Sequence, residues 1–392
     1  MFPYTKTALS CIGAVGIIGI VFFILTQPSN TERGVAIDIA SSSASGGELA
    51  TTSEPILSTS TPKQEIGAVE EEFEGIDSTL TIVSASAPIL EKKEGSEYEI
   101  TRVQNLYPYA PKSFEELNLE ARAAIVNIFC STGSIDGRSV IGSGVLIDSR
   151  GIILTNAHVA QYVLLSEDPR VNLSCVIRHG SPARALWEAE VVYIPSVWVE
   201  KHAEEIIKEH STGTGEHDYA FLHITKSLDG SPLPEMFFAL PPDTRQGTDL
   251  LGAAALTVSY PAEFLSGAAA QTQLYPLTSI ATIGELLTFY EGSVDLISVG
   301  GVAGAQGGSS GGGVVNAWGY LVGIISTTSE GATTAERVLR AITLNYIDRD
   351  LSATNGSNLA EFLSGDIATR KTDFTINKAP ALLDLLIAQL AY

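Results

Sequence analysis

Between residues 124 and 326 the chain breaks into short apolar runs punctuated by Gly, Ser and Asp. Runs at 124–130, 143–148, 152–157, 172–179 and 188–194 come first. Others follow at 218–224, 250–260, 279–283, 294–299, 314–315 and 320–326. Regular short runs with turn signals between them predict an all-β barrel or sandwich. A charged stretch of helical pattern at 199–210 interrupts the series and reads as a surface insertion. With 45% hydrophobic residues the chain can bury a sizeable core, and its 36 glycines suit a fold rich in turns. No internal repeat is visible.

The amino-terminal quarter is of another kind. Residues 8–25 carry no charge and are almost wholly apolar, about 27 Å if helical, enough to span a bilayer. Lys6 and the free amine precede them, which favours an amino terminus on the cytoplasmic side. A transmembrane anchor is therefore expected over residues 1–26. A cleaved signal peptide is the competing reading, but Ile24-Leu25-Thr26-Gln27 offers no small-x-small site. Residues 27–98 are rich in Ser, Thr, Gly, Ala and Glu, with an acidic cluster at Glu70-Glu71-Glu72-Phe73-Glu74. Such a stretch buries too little apolar surface to offset its ordering entropy and predicts a disordered linker, about 45 Å across as a coil. Order is expected to resume near Ile100, and Ser113 with Glu116 predicts a capping box opening a helix. The net charge of −22 argues against nucleic acid or an anionic membrane surface as partner. Three cysteines cannot make a disulfide scaffold of the small secreted type.

Three segments carry chemistry. The first is Gly142-Ser143-Gly144, followed by Thr155-Asn156-Ala157-His158. The second is His217-Asp218-Tyr219-Ala220-Phe221-Leu222. The third is Gly307-Gly308-Ser309-Ser310-Gly311-Gly312. They place a His, an Asp and a Ser, in that order, at strand edges. In type, order and approximate spacing they resemble the trypsin-like (chymotrypsin-fold) serine proteases, closest to the bacterial HtrA/DegP-type branch. The resemblance covers roughly residues 124–346. It implies two six-stranded antiparallel β-barrels, the first at 99–225 with His and Asp, the second at 226–346 with Ser, and a helical tail at 347–392.

The chemistry needs these residue types. A serine hydroxyl is a weak nucleophile at neutral pH and requires a base in hydrogen-bond reach. Imidazole titrates near the working pH, and a buried carboxylate fixes its tautomer and stabilises its charged form. The expected catalytic residues are Ser310 as nucleophile, His158 as general base and then acid, and Asp218 as the orienting carboxylate. The resemblance puts the oxyanion donors on the N–H groups of Gly308 and Ser310, and implies no cofactor and no metal. Substrates would be proteins or peptides outside the cytoplasm. A catalytically silent module of the same fold, binding polypeptide or sensing envelope stress, is the alternative.

The chain departs from the pattern in places. Ser309 precedes the nucleophile where the digestive and clotting branch has Asp, so activation through a freshly cut amino terminus is ruled out. Gly313 stands where Pro is usual. The PDZ module of the HtrA/DegP branch has no counterpart after the second barrel. Gly304 aligns with the base of the S1 pocket and offers no acid to select Lys or Arg. Ile324, Ile325 and Ser326 are expected to give the substrate apolar walls and backbone pairing, with small or medium apolar P1 residues preferred. The family topology brings the strands of Cys130 and Cys175 together, as a disulfide or as two buried thiols. His202, His210, His217 and His223 match no metal-ligand spacing. The apolar stretch at 379–391 is expected to pack on the barrel as a helix, and homo-oligomers are compatible with the resemblance.

Overall fold

The computed structural model describes residues 107–132, 139–208, 214–245, 247–290, 292–300, 306–328 and 337–390, together with the backbone of a hairpin formed by Pro88–Lys92 (β1) and Tyr98–Arg102 (β2). The membrane segment expected at residues 8–25 and the acidic cluster at 70–74 lie outside the described residues. Among those described, no helix is long and apolar enough to cross a membrane. The hairpin corrects one boundary. Its first strand falls inside the stretch 27–98 read as disordered linker, pairing Pro88 with Arg102 and Lys92 with Tyr98. The pairing places strand structure as far back as Pro88.

Two closed six-stranded antiparallel barrels follow. The first contains β3 (Ile125–Ser131), β4 (Ser139–Asp148), β5 (Ile152–Thr155), β6 (Ser174–His179), β7 (Arg184–Tyr193) and β8 (Ala220–Ser227). The second contains β9 (Ala254–Ser259), β10 (Leu277–Leu287), β11 (Leu296–Gly300), β12 (Gly313–Asn316), β13 (Leu321–Thr328) and β14 (Val338–Thr343). Both close in the same order: first, second, third, sixth, fifth, fourth. β5 shows why its run reads as continuous rather than alternating. Ile152, Ile153 and Leu154 are all fully buried, so both strand faces are covered, and each such side chain contributes roughly 1.5–3 kcal/mol.

Among the elements that escape the sequence reading, two show why. The run read at 152–157 stops at Thr155, and Ala157–Ser166 forms helix α2. Ala157, Val159, Ala160, Val163, Leu164 and Leu165 are all buried there, so no polar face announces the helix. β14 was not read as a run because the exposed Arg340 interrupts it. By contrast, α1 (Phe114–Ala124) opens on the expected box. The Ser113 hydroxyl accepts from the Glu116 N–H, and the Glu116 carboxylate accepts from the Ser113 N–H at 2.9 Å. The insertion folds as α3 (Ser196–His202) and a 3₁₀ turn at Ala203–Ile207; a short α4 (Gly267–Thr272) follows β9.

After β14 come α5 (Leu344–Asn355), α6 (Leu359–Ser364), α7 (Ile367–Asn377) and α8 (Ala379–Leu390). α8 buries Leu382, Leu386 and Leu390, an i, i+4, i+8 stripe, against α2, α3 and the 3₁₀ turn. α7 packs on β7 and α8 on the helices of the first barrel, while α5 lies against β13 and β14 of the second. The barrels share one buried cluster, in which Leu154 and Phe221 of the first join Val258 and Ile324 of the second. Arg178 bolts them together. From β6 it donates to Asn127 Oδ1 at 2.6 Å and to the Ala270 carbonyl at 2.9 Å in α4. Burial pulls its pKa down to about 10.

Candidate active site

His158 sits in the first turn of α2, where helical N–H groups have no intrahelical acceptor. Asn156, the N-cap, does not serve them; its amide donates instead to the Asp218 carbonyl at 2.9 Å. The Asp218 carboxylate takes over the cap. Its Oδ1 accepts from the His158 N–H at 3.0 Å, and its Oδ2 lies 2.8 Å from His158 Nδ1. Ser326 Oγ on β13 donates to the same Oδ2 at 2.7 Å. One buried carboxylate therefore holds the imidazole, the helix start and a strand of the other barrel. A negative charge is also favoured at a helix amino terminus.

These contacts set the electrostatics. Burial alone would push the Asp218 carboxyl up. The His158 charge and the hydrogen bonds from His158 and Ser326 outweigh it and hold the carboxyl below its usual range. Burial likewise pulls His158 down. The charge and hydrogen bond of Asp218, with a smaller attraction from Glu205, leave it raised. An Nδ1–H engaged by Asp218 leaves Nε2 as the basic nitrogen.

Ser310 is tied to the segments of this pair through its neighbours. Its carbonyl accepts from the Ser143 N–H at 2.7 Å, and the Thr155 hydroxyl, three residues before His158, donates to the Ser143 carbonyl at 2.7 Å. Gly311 has φ 82°, and a Cβ there would stand 2.0 Å from the Ser143 carbonyl oxygen and 2.4 Å from Thr155 Oγ1. Only glycine allows that approach. The Gly311 N–H donates to the Ile325 carbonyl at 2.8 Å, one residue before the Ser326 that binds Asp218. Among the described residues, no hydrogen bond joins the Ser310 hydroxyl to the His158 ring.

The preceding loop has a defined orientation. The Ser309 N–H closes a turn onto the Gln306 carbonyl at 3.1 Å, and Gly308, the third residue of that turn, has φ 92°. A positive φ there is the type II form; in type I the central Gly307–Gly308 peptide is turned over. That peptide is pinned at its other end, where the Gly307 carbonyl accepts from the Ala262 N–H at 2.8 Å. The Gly307 N–H donates to Glu263 Oε2 at 3.0 Å, and Arg337 pairs with the same carboxylate at 2.6 Å. Ser143 Oγ donates to the Gly308 carbonyl at 2.8 Å. Among the described residues, neither the Gly308 N–H nor the Ser310 N–H has an acceptor. Ser309 is buried and accepts from Ser259 Oγ at 3.1 Å.

Residues 142–324 match the family model of the trypsin-like peptidase domain. With the two barrels, this decides the fold. It is that of a trypsin-like serine protease. No match to a curated protein was found.

The trypsin-like domain treats the remaining expected residues unequally. Cys130 and Cys175 are register partners on β3 and β6 and form a disulfide. Gly304 lies outside the described residues. Ile324 and Ile325, expected as apolar walls, have side chains buried in the cores. Ile325 also spends both main-chain groups, donating to the Gly312 carbonyl at 2.7 Å and accepting from Gly311. The reason is that β13 is an inner strand, paired there by β12 and β14. Pairing with β12 ends at Ile324, so the edge from Ser326 to Thr328 is where an extended chain could add. Of the four histidines, His202 stacks on Trp198 and His217 binds Asp350 through Nδ1 at 2.9 Å; His210 lies outside the described residues. The third partner of Asp218, Ser326, was read only as a substrate contact. Ser143 lay in a segment already singled out, but nothing in the sequence ties Ala262 or Glu263 to the loop before Ser310.

Proposed function

We propose that the protein is a serine endopeptidase that hydrolyses peptide bonds through an acyl-enzyme. The observation that carries the reading is the buried Asp218 carboxylate 2.8 Å from His158 Nδ1, which leaves Nε2 to act as base. Ser310 Oγ attacks the scissile carbonyl carbon and gives its proton to His158 Nε2. The carbonyl oxygen becomes an oxyanion and accepts from the N–H groups of Gly308 and Ser310. The C–N bond then breaks, the His158 proton passes to the leaving amine, and the acyl group stays on Ser310. Water, deprotonated by His158, attacks the acyl carbon and releases the acid, returning the proton to Ser310. Hydroxyl, imidazole, carboxylate and backbone donors supply every step, so the reaction asks for no cofactor.

The protein would be anchored by residues 1–26 with the barrels outside the cytoplasm, as in the HtrA/DegP-type branch. The Cys130–Cys175 disulfide supports an oxidising compartment. Extracytoplasmic proteins or peptides would be the substrates, with small or medium apolar P1 residues. A silent polypeptide-binding module is the second reading; the missing Ser310–His158 hydrogen bond favours it. An active-site fluorophosphonate separates the two. Labelling of the wild type, lost in Ser310→Ala, supports the peptidase. Folded wild type that takes no label and leaves a peptide library uncut overturns it. Membrane fractionation of the full chain, with and without residues 1–26, tests the anchor.

A further inference from the structure

His217 is the one non-glycine residue among those described with a positive φ, 59°. It stands immediately before Asp218. L-residues adopt this conformation at a cost, and it persists only where surrounding contacts impose it. Here those contacts come from α5, the helix that leaves the last strand of the second barrel. The His217 N–H donates to Tyr346 Oη at 3.1 Å. Its ring Nδ1 lies 2.9 Å and 3.0 Å from the two oxygens of Asp350. Tyr346 and Asp350 are one turn apart on the same helix face and both are buried. α5 is in turn fixed to its barrel, because Thr343 caps it and donates to the Val294 carbonyl at 2.8 Å. On the far side of His217, its carbonyl accepts from the Tyr219 N–H at 2.9 Å, and the Asp218 N–H closes back to Gly215 at 3.2 Å.

We infer that Asp350 and Tyr346 of α5 are positioning residues, which hold His217 in its left-handed conformation and so aim the Asp218 carboxylate at His158. The inference rests on the peptidase reading only for its kinetic consequence; the aim of the carboxylate exists whether or not the site turns over. Asp218 then has two anchors in the second barrel: Ser326 on its carboxylate and α5 on its backbone. The first barrel alone would leave a strained turn to carry it.

The test uses the full chain with Asp350→Ala, His217→Ala, His217→Asn and Tyr346→Phe. The main readout is the titration of the His158 imidazole by NMR, which needs no turnover. His158 is faced by Asp218 and, further off, by Glu205. If the carboxylate loses its aim, its support of the charged imidazole weakens and the His158 pKa falls. That fall is expected in Asp350→Ala and His217→Ala, with kcat/KM down about tenfold and KM nearly unchanged. His217→Asn should restore both, because Asn tolerates a positive φ and its amide can donate to Asp350. Tyr346→Phe, which removes the acceptor of the His217 N–H and a 3.5 Å contact to the His217 ring but keeps Asp350, should fall between. Unchanged His158 titration in folded Asp350→Ala and Tyr346→Phe overturns the inference, as does failure of His217→Asn to do better than His217→Ala. An inert wild type would overturn the peptidase reading alone, since the titration still decides the positioning role.

Discussion

Gly308→Ala isolates the orientation of one peptide plane. The substitution adds a Cβ at a residue with φ 92°, 2.8 Å from the Tyr260 carbonyl oxygen and 3.1 Å from the Ala262 nitrogen. Both contacts are backbone and cannot swing aside. A left-handed alanine costs about 1–2 kcal/mol before any clash. The least costly relief is to turn the Gly307–Gly308 peptide over, from type II to type I. That move breaks the 2.8 Å bond from the Ala262 N–H to the Gly307 carbonyl and takes the Gly308 N–H away from the scissile oxygen. Losing one oxyanion donor costs about 10²–10³ in kcat, or about 3–4 kcal/mol. The expected result is a folded enzyme with kcat down by that factor and KM within about threefold. Steady-state kinetics on a peptide ester and the rate of fluorophosphonate labelling measure it, with circular dichroism as the folding control. A folded Gly308→Ala enzyme whose kcat stays within about threefold of wild type would refute the argument that this peptide's orientation builds the hole.

Three other outcomes follow from named contacts. Only neutral His158 can accept a proton, and its pKa is raised, so kcat/KM should climb with pH through a midpoint above the ordinary imidazole value and level off. Asp218→Asn removes the charge but not the burial; it should shift that limb to lower pH and cut kcat about 10⁴-fold, and an unmoved limb in the pH–rate profile would count against the assignment. The Cys130–Cys175 bond closes a separation of 45 residues, for which chain entropy gives about 4 kcal/mol, so the double Ala variant should lose about 2–4 kcal/mol in denaturant melts and match the wild type held under reductant.

The elements legible in the sequence are those with a local cause. Short apolar runs between turn residues give strands because the side-chain period and the turn chemistry both act over a few residues. Ser113 and Glu116 announce α1 because a capping box is complete within four positions. α2 escapes since a helix buried on nearly every side has no amphipathic stripe. The site divides in the same way. His158, Asp218 and Ser310 lie in segments whose residue types their chemistry restricts, and these the sequence displays. What aims them is non-local: Glu263 reaches Gly307 across 44 positions, and Asp350 reaches His217 across 133. No pattern within one segment records such a meeting. An apolar pair on a strand, such as Ile324 and Ile325, can face a cleft or a core, and only the pairing of β13 with β12 and β14 shows where both are buried.

The loop before Ser310 carries Ser309 where an acid would otherwise anchor it. A buried hydroxyl pair, Ser309 with Ser259, carries no net charge and needs no freshly made amino terminus to neutralise it. The loop is fixed instead from outside: Ala262 holds the Gly307 carbonyl, Glu263 holds the Gly307 N–H, Arg337 steadies Glu263, and Ser143 reaches over from the first barrel to the Gly308 carbonyl. Each is a neutral or surface-paired contact, worth about 0.5–1.5 kcal/mol for an ordinary hydrogen bond. Several such bonds together exceed the strain of one left-handed glycine, which is small. The loop is therefore held in its type II form by bonds within the protein itself. Glu263→Gln, which keeps an acceptor for the Gly307 N–H but loses the charge for Arg337, should accordingly slow labelling less than Glu263→Ala.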